Sequence, residues 1–96
     1  MKDVEVSVGQ ERRLPTPRQI EAAVRRVELV VSMKGTLKKY HGCTHWHLKR
    51  GRQAGTLEVT LWPARRRLWL TVQEGRRAEW IAGAAEALVA EFGRGK

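Results

Sequence analysis

Two alternating stretches near the middle of the chain set the strongest limit on its fold. "TLEVTLW" at residues 56–62 and "RLWLTVQ" at 67–73 each place leucine or valine at every second position. Side chains on a β-strand alternate between the two faces of a sheet, so each stretch predicts a strand with one apolar face. The short "PARR" link is typical of a hairpin connection. The sequence therefore predicts two neighbouring antiparallel strands.

A third strand is predicted at residues 41–49, in "HGCTHWHLK". If Trp46 and Leu48 join the apolar face, the polar side chains between them must point to the opposite face. The opposite face then carries Cys43, His45 and His47. It is an open face in this arrangement, because no further element is predicted to cover it.

The pairing of this third strand with 56–62 is not fixed by the sequence, because the connection between them is long. One workable register sets His47 opposite Glu58. The same register sets His45 opposite Thr60. The open face then combines histidines with a carboxylate and a hydroxyl.

Amphipathic helices are predicted on either side of the strands, at residues 17–34 and 76–92. Thr16 can cap the first helix, Pro17 suits its first position, and Gln19 completes a capping box. Helical spacing gives each an apolar stripe. The stripes are Ile20, Ala23, Val24, Val27 and Val31 in the first, and Trp80, Ile81, Ala84, Ala85, Leu88 and Phe92 in the second.

The predicted fold is a single α+β domain at residues 16–93, in the order helix, three strands, helix. Both helices pack on the leucine and valine face of a three-stranded antiparallel sheet. Residues 4–8, "VEVSV", also alternate and are a candidate fourth strand within an N-terminal arm at 1–15. Residues 94–96 are expected to form a frayed tail.

Composition and charge narrow the function. The hydrophobic share of 42% indicates a folded core, and a single cysteine excludes an internal disulfide. No apolar run approaches the ~20 residues of a membrane span, so we expect a cytoplasmic protein without membrane partners. The net charge of +9 is concentrated, because residues 34–77 hold eleven basic and two acidic residues. A segregated positive charge points to a polyanionic partner.

Nucleic acid is the partner that explains most of this pattern. Basic loops neutralise phosphates, and exposed tryptophan rings stack on unpaired bases. The predicted fold gathers one basic group at each end of the sheet, and the tryptophans lie on the open face. The candidate nucleic-acid-binding residues are Lys49, Arg50, Arg52, Arg65, Arg66, Arg67, Arg76, Arg77, Trp62 and Trp69.

The histidine strand leaves two other chemistries open. A metal site would use Cys43, His45 and His47. Alternate positions on a strand lie ~7 Å apart, so a neighbouring pair such as His45 and His47 could be brought together by bending, but the whole row from His41 to His47 could not share one ion. The prediction is therefore a protein without a metal or other cofactor. An enzyme would use His45, His47 and Glu58, with a histidine as general base. A hydrolase usually has a fuller acid–base constellation, so catalysis stays the alternative.

The order helix, three strands, helix is similar to that of the double-stranded-RNA-binding domain. "RRAEWIAGAAEAL" resembles its second helix, and the resemblance implies phosphate contacts for Arg76 and Arg77. "GCTHWH" resembles the Gly-Ser-His strand of HicA-type toxins, which share this fold and cleave messenger RNA. That resemblance implies His45 as the catalytic residue, with His47 second. Both resemblances favour RNA over DNA.

A third class of function is a protein-interaction module. An open face that exposes tryptophans is typical of a surface that another chain covers. A homodimer is then expected to form through the open sheet face or through residues 4–8. The three classes are separated by nucleic-acid binding, by cleavage and by the mass in solution.

Overall fold

The computed structural model describes residues 2–7, 13–73 and 79–94, and the alternating stretches form the centre of one antiparallel sheet. Within the described residues the strands are β1 (Lys2–Glu5), β2 (Val30–Gly35), β3 (Thr44–Lys49), β4 (Leu57–Trp62) and β5 (Arg67–Val72). The helices are α1 (Pro17–Arg26) and α2 (Glu79–Arg94). A single 3-10 turn at Pro63–Arg65 joins β4 to β5. The predicted α+β class is confirmed.

The described sheet has five strands in the order β1-β5-β4-β3-β2, so the predicted number of three is wrong. The three predicted strands form its centre, and one antiparallel strand is added at each edge. At one edge β1 pairs with β5, with Val4 opposite Leu70, which places the candidate N-terminal strand two residues earlier than "VEVSV" indicates. At the other edge β2 pairs with β3 and uses residues predicted to be helical.

Helix α1 begins where the sequence predicts and ends eight residues early. Oγ1 of Thr16 accepts a hydrogen bond from the backbone N–H of Gln19 at 3.1 Å. Oε1 of Gln19 accepts one from the N–H of Thr16 at 2.9 Å. The capping box is therefore formed, and it satisfies backbone donors that have no partner inside the helix.

The end of α1 is set by a residue in the left-handed region. Glu28 has a φ of 61°, and the next N–H, from Leu29, donates to the carbonyl of Val24 at 3.0 Å. Val30 and Val31 then enter β2. Their spacing suits a helix, but β-branched residues also favour strands, and in β2 they pair the backbone edge that β3 would otherwise leave unpaired. The predicted helix over 27–34 is wrong for this reason.

The core lies between the helices and one face of the sheet. Trp46 and Leu48 are fully buried there, which confirms the parity argument for β3. The sheet adds Leu57, Val59, Leu61, Leu68, Leu70 and Val72, and the helices add Ile20, Ala23, Val24, Ile81, Ala84, Ala85 and Leu88. Trp80 and Phe92 pack at its margin and are partly buried.

One polar contact ties α1 to this core. The indole Nε1 of Trp46 donates to Oε2 of Glu21 at 3.0 Å, and Nζ of Lys34 on β2 lies 2.7 Å from the same oxygen. The hydrogen bond from Lys34, followed by that from Trp46, holds the pKa of Glu21 below its ordinary value. A carboxylate on α1 therefore connects the first helix to two strands.

The helices also contact each other on the sheet. Nε of Arg26, in the last turn of α1, pairs with Oε1 of Glu91 on α2. As far as residues 13–73 and 79–94 are described, neither helix combines the length and the apolar character that a membrane crossing requires.

Candidate functional site

The pairing of β3 with β4 brings polar side chains together on the sheet face opposite the helices. His45 lies opposite Thr60, and His47 lies opposite Glu58. This confirms the register proposed from the sequence. Directly opposite residues on neighbouring strands have Cβ atoms ~5 Å apart, so side chains of this length can meet.

The side chains of His45, His47 and Glu58 converge on one point and are called the His/Glu cluster below. Nε2 of His45 lies 3.1 Å from Nε2 of His47 and 3.1 Å from Oε1 of Glu58. Nε2 of His47 lies 3.7 Å from the same carboxylate oxygen. The two imidazole rings meet edge to face, with centroids 5.0 Å apart. Two nitrogens and one oxygen thus form a small triangle.

The spacing argument allowed His45 and His47 to meet, and the structure adds a third ligand atom that the argument left out. Alternate Cα positions are far apart, but the two imidazoles lean together, so their Nε2 atoms lie closer than the backbone spacing indicates. The side chain that completes the set is Glu58 rather than Cys43. The residues named for catalysis are therefore brought together, and the trio named for a metal is not.

The cluster has a buried side and an open side. His45 is only 5% exposed, and its Nδ1 lies 2.8 Å from Oγ1 of Thr60, which is buried as well. The side chains of His47 and Glu58 are 35% and 25% exposed. A molecule from solvent therefore reaches the cluster through His47 and Glu58.

Burial favours the neutral form of His45. Loss of solvation lowers the pKa of His45, and the neighbouring His47 lowers it further, while Glu58 acts in the opposite direction. A neutral imidazole carries one N–H. When that proton is on Nδ1 and is donated to Thr60, the lone pair of Nε2 faces the cluster.

The cluster can therefore do two kinds of chemistry. His47 is exposed enough to take a proton from a bound molecule, with the Glu58 carboxylate nearby to stabilise the resulting imidazolium. Alternatively, two imidazole nitrogens and a carboxylate oxygen can bind a divalent metal ion. Both use the same Nε2 lone pair of His47, so the two cannot act at that atom at the same time.

The face that carries the cluster is not open at its other end. The connection between β2 and β3, residues 36–43, folds across it. The ring of Tyr40 meets Trp62 and Trp69 edge-on, at centroid distances of 4.9 and 5.0 Å. Nε1 of Trp62 donates to the carbonyl of His41 at 2.9 Å, and Trp69 is 6% exposed. The prediction of two exposed tryptophans is therefore wrong for Trp69, because this connection buries it.

Cys43 is part of the same covering connection. It is 2% exposed, and its Sγ accepts a hydrogen bond from the backbone N–H of Leu37 at 3.3 Å. Its contact is with the backbone that holds the connection in place. This placement gives Cys43 a structural contact within the connection.

Basic residues gather beside Tyr40, where the 3-10 turn and the connection 36–43 meet. The guanidinium of Arg65 lies 5.9 Å from the ring of Trp62, and Nζ of Lys39 lies 5.6 Å from the ring of Tyr40. These four residues are called the basic aromatic end below. Arg66 lies next to it, in the left-handed region with φ 51°.

Arg67 begins β5 at the same end and is already paired. Its Nη2 lies 2.8 Å from Oε1 of Glu5, and its Nε lies 3.2 Å from the other oxygen of that carboxylate. The guanidinium also lies 4.4 Å from the centroid of Trp69. The ion pair raises the pKa of Arg67. Its structural partners make it a poorer candidate for phosphate contacts than Arg65.

The basic residues at the opposite end of the sheet are partly engaged by the backbone. Nζ of Lys49 donates to the carbonyl of Gly55 at 2.8 Å. Nη2 of Arg50 donates to the carbonyl of Val27 at 3.0 Å, and Arg52 is exposed in the turn that follows. Arg76 and Arg77 lie outside the described residues, so the structure describes three of the five basic residues expected to cluster at this end.

Two residues of the site had no separate role in the sequence. The contact of Thr60 with His45 can be predicted from the register of β3 and β4, because the pairing that sets Thr60 opposite His45 places a hydroxyl beside an imidazole. Tyr40 has no such signal. It lies in a connection, and only the folded chain shows that its ring covers the tryptophans of β4 and β5.

The fold and the site define a small basic α+β domain with paired histidines and a glutamate on its sheet. Comparison with protein-family profiles, curated protein sequences and solved structures finds no match to this chain. The geometry of the site and the distribution of charge are therefore the features that bear on its function.

Proposed function

We propose that this protein binds nucleic acid, RNA in preference to DNA, through the basic aromatic end of its sheet. The observation that carries the proposal is that the β2–β3 connection and the β4–β5 connection meet and form one surface. Lys39 and Arg65 each lie beside an aromatic ring that is only partly buried. Cationic groups of this kind contact phosphates, and the ring faces beside them stack on bases.

The distribution of charge supports the same surface. The two connections that build it, residues 36–43 and 63–66, contain four basic residues and no acidic ones. The basic residues are Lys38, Lys39, Arg65 and Arg66, and all four are exposed. A local concentration of positive charge attracts a polyanion and orients it as it approaches. The preference for RNA rests on the resemblance of the second helix to that of RNA-binding domains.

The proposal is tested by binding titrations with four labelled oligonucleotides of one sequence, single- and double-stranded RNA and DNA. We expect the affinity for RNA to fall steeply between about 50 and about 200 mM salt, because each phosphate contact releases close to one counterion. Equal and weak binding of all four oligonucleotides at physiological salt would overturn the proposal.

A second candidate function, cleavage of the bound RNA, is favoured by the meeting of His47 with Glu58. In this reaction Nε2 of His47 takes the proton of a ribose 2′-hydroxyl. The 2′-oxygen then attacks the adjacent phosphorus, and the 5′-oxygen leaves with a proton from water. The products are a 2′,3′-cyclic phosphate and a 5′-hydroxyl. The more exposed His47 suits this role better than His45, which reverses the order that the toxin resemblance implies.

Cleavage is tested by incubating RNA with the protein in excess chelator. Loss of cleavage in His47→Ala, with retention in His41→Ala, is the expected pattern. An RNA with a single 2′-deoxy nucleotide should resist cleavage after that nucleotide. Equal cleavage by both histidine variants would reject the candidate and indicate a contaminating nuclease.

A further inference from the structure

The contacts inside the His/Glu cluster exceed what two-centre hydrogen bonds can satisfy. A ring nitrogen of a neutral imidazole carries either one N–H or one lone pair. Nε2 of His45 nevertheless has two polar neighbours at 3.1 Å, one on His47 and one on Glu58. One two-centre hydrogen bond accounts for one of these contacts, and the other requires a single N–H to be shared between both neighbours. A cation placed between the three atoms accounts for all of them.

The dimensions of the triangle are those of a ligand set. Two ligands on a tetrahedral ion with bonds of about 2.0 Å are separated by about 3.3 Å. The three separations in the cluster are 3.1, 3.1 and 3.7 Å. Two imidazoles and one carboxylate are also the donor set of known catalytic zinc sites and of non-haem iron sites.

We propose that Nε2 of His45, Nε2 of His47 and a carboxylate oxygen of Glu58 bind one divalent transition-metal ion, with Zn²⁺ as the first candidate. The site does not depend on nucleic-acid binding. The ion would lie on the exposed side of the triangle, where His47 and Glu58 meet solvent. A fourth coordination position on the ion would then be open to water. An open position is typical of a metal ion that acts as a Lewis acid, whereas structural sites are closed by four protein ligands.

Thr60 gives the site the outer contact that metal-binding histidines usually have. Such histidines donate their second ring N–H to a nearby oxygen, which fixes the orientation of the ring and keeps the binding nitrogen unprotonated. Oγ1 of Thr60 is that oxygen for Nδ1 of His45, at 2.8 Å. Both residues are buried, so the contact is protected from competition by water.

The experiment is a calorimetric titration of the full chain, without a purification tag, with Zn²⁺ alone. We expect one ion per chain with a Kd tighter than about 10 μM. Titration with Co²⁺ should add visible absorption bands, which report nitrogen and oxygen ligands directly. The folded state of each variant is checked by circular dichroism before titration.

The variants separate this site from other metal-binding groups of the chain. His47→Ala and the isosteric Glu58→Gln should weaken binding by more than a hundredfold. Thr60→Val should weaken it by about 10- to 100-fold, as for other outer contacts. His41→Ala and Cys43→Ser remove a histidine and the thiol outside the triangle and should leave the affinity unchanged.

Absence of Zn²⁺ and Co²⁺ binding to the folded chain would overturn the proposal. So would an equal loss of affinity in His41→Ala and His47→Ala, because it would indicate non-specific imidazole binding. A loss in Cys43→Ser equal to that in Glu58→Gln would move the site to the thiol. None of these readouts includes nucleic acid, so failure of the metal site and failure of the proposed function are distinguishable.

Discussion

Oγ1 of Thr60 lies 2.8 Å from Nδ1 of His45, and the two side chains sit opposite each other on paired strands. Both are almost completely buried. A buried polar atom that loses its partner cannot turn to water instead. This contact therefore stabilises the fold in addition to orienting the imidazole.

Replacing Thr60 by Val keeps the branched shape and removes the hydroxyl. We expect the free energy of unfolding to fall by ~1–3 kcal/mol, because the buried Nδ1 of His45 is left without this partner. Thr71→Val is the matched control, since the hydroxyl of Thr71 bonds to Asp3 at an exposed position where water can replace it. Urea denaturation of both variants measures the difference. An equal decrease in the free energy of unfolding of both variants would contradict the prediction, because the buried hydroxyl would then contribute no more than the exposed one.

Glu21 gives the stability a dependence on acid pH. Its folded-state pKa is lower than the ordinary value of 4.5, chiefly through Lys34, so the unfolded state binds the proton more readily. The stabilisation is therefore fully present above about pH 5 and is lost as the pH falls through the folded pKa. Glu21→Gln should be less stable than the wild type at neutral pH and should approach it as the pH falls through the folded pKa of Glu21.

The measurement for Glu21 is urea denaturation at a series of pH values between about 3 and 7. The amide of the glutamine variant keeps an oxygen that can accept from Trp46, so the comparison isolates the charge. Glu86→Gln, at an exposed position of α2, is the control. A constant difference between wild type and Glu21→Gln at every pH would contradict the prediction.

Tyr40 holds the covering connection on the sheet. Tyr40→Leu removes the aromatic pairs with Trp62 and with Trp69. The loss of each pair should reduce the free energy of unfolding by ~0.5–1.5 kcal/mol. The substitution should also shift tryptophan fluorescence to longer wavelength, because Trp69 becomes hydrated. The shift should disappear when Trp69 is replaced by Phe. Tyr40→Phe keeps the ring and should behave like the wild type. An unchanged spectrum in Tyr40→Leu would show that other residues bury Trp69.

The two ends of the sheet are distinguished by variants that remove equal charge. The double variant Lys39→Ala/Arg65→Ala removes two positive charges from the basic aromatic end. The double variant Arg25→Ala/Arg52→Ala removes two elsewhere, both at exposed positions. We expect the first to weaken RNA binding and to reduce the slope of log K against log salt by ~0.7–0.9 for each phosphate interaction it removes. A slope in Lys39→Ala/Arg65→Ala equal to that of the wild type would place the phosphate interactions outside the basic aromatic end.

The strand pattern of the sequence determined the central part of the fold. A period of two in "TLEVTLW" and "RLWLTVQ" leaves one way to bury leucine and valine, and parity then places Trp46 in the core. Parity also put His45, His47 and Glu58 on one face, and the structure confirms the register that was one workable choice for them. Local chemistry also determined the start of α1, because a capping box needs only the residues that form it.

Only the tertiary structure decided where α1 ends and what covers the second face. The valines after Arg26 fit a helix or a strand, and pairing with the free edge of β3 selects the strand. Tyr40 lies in a connection without periodicity, so its contact with the tryptophans depends on the path of the folded chain. The sequence allowed His45 and His47 to meet, but only the structure shows that their Nε2 atoms converge with Oε1 of Glu58. Backbone spacing determines the distance between the Cα atoms of two residues, but the rotamers and the neighbouring side chains determine the distance between their terminal atoms.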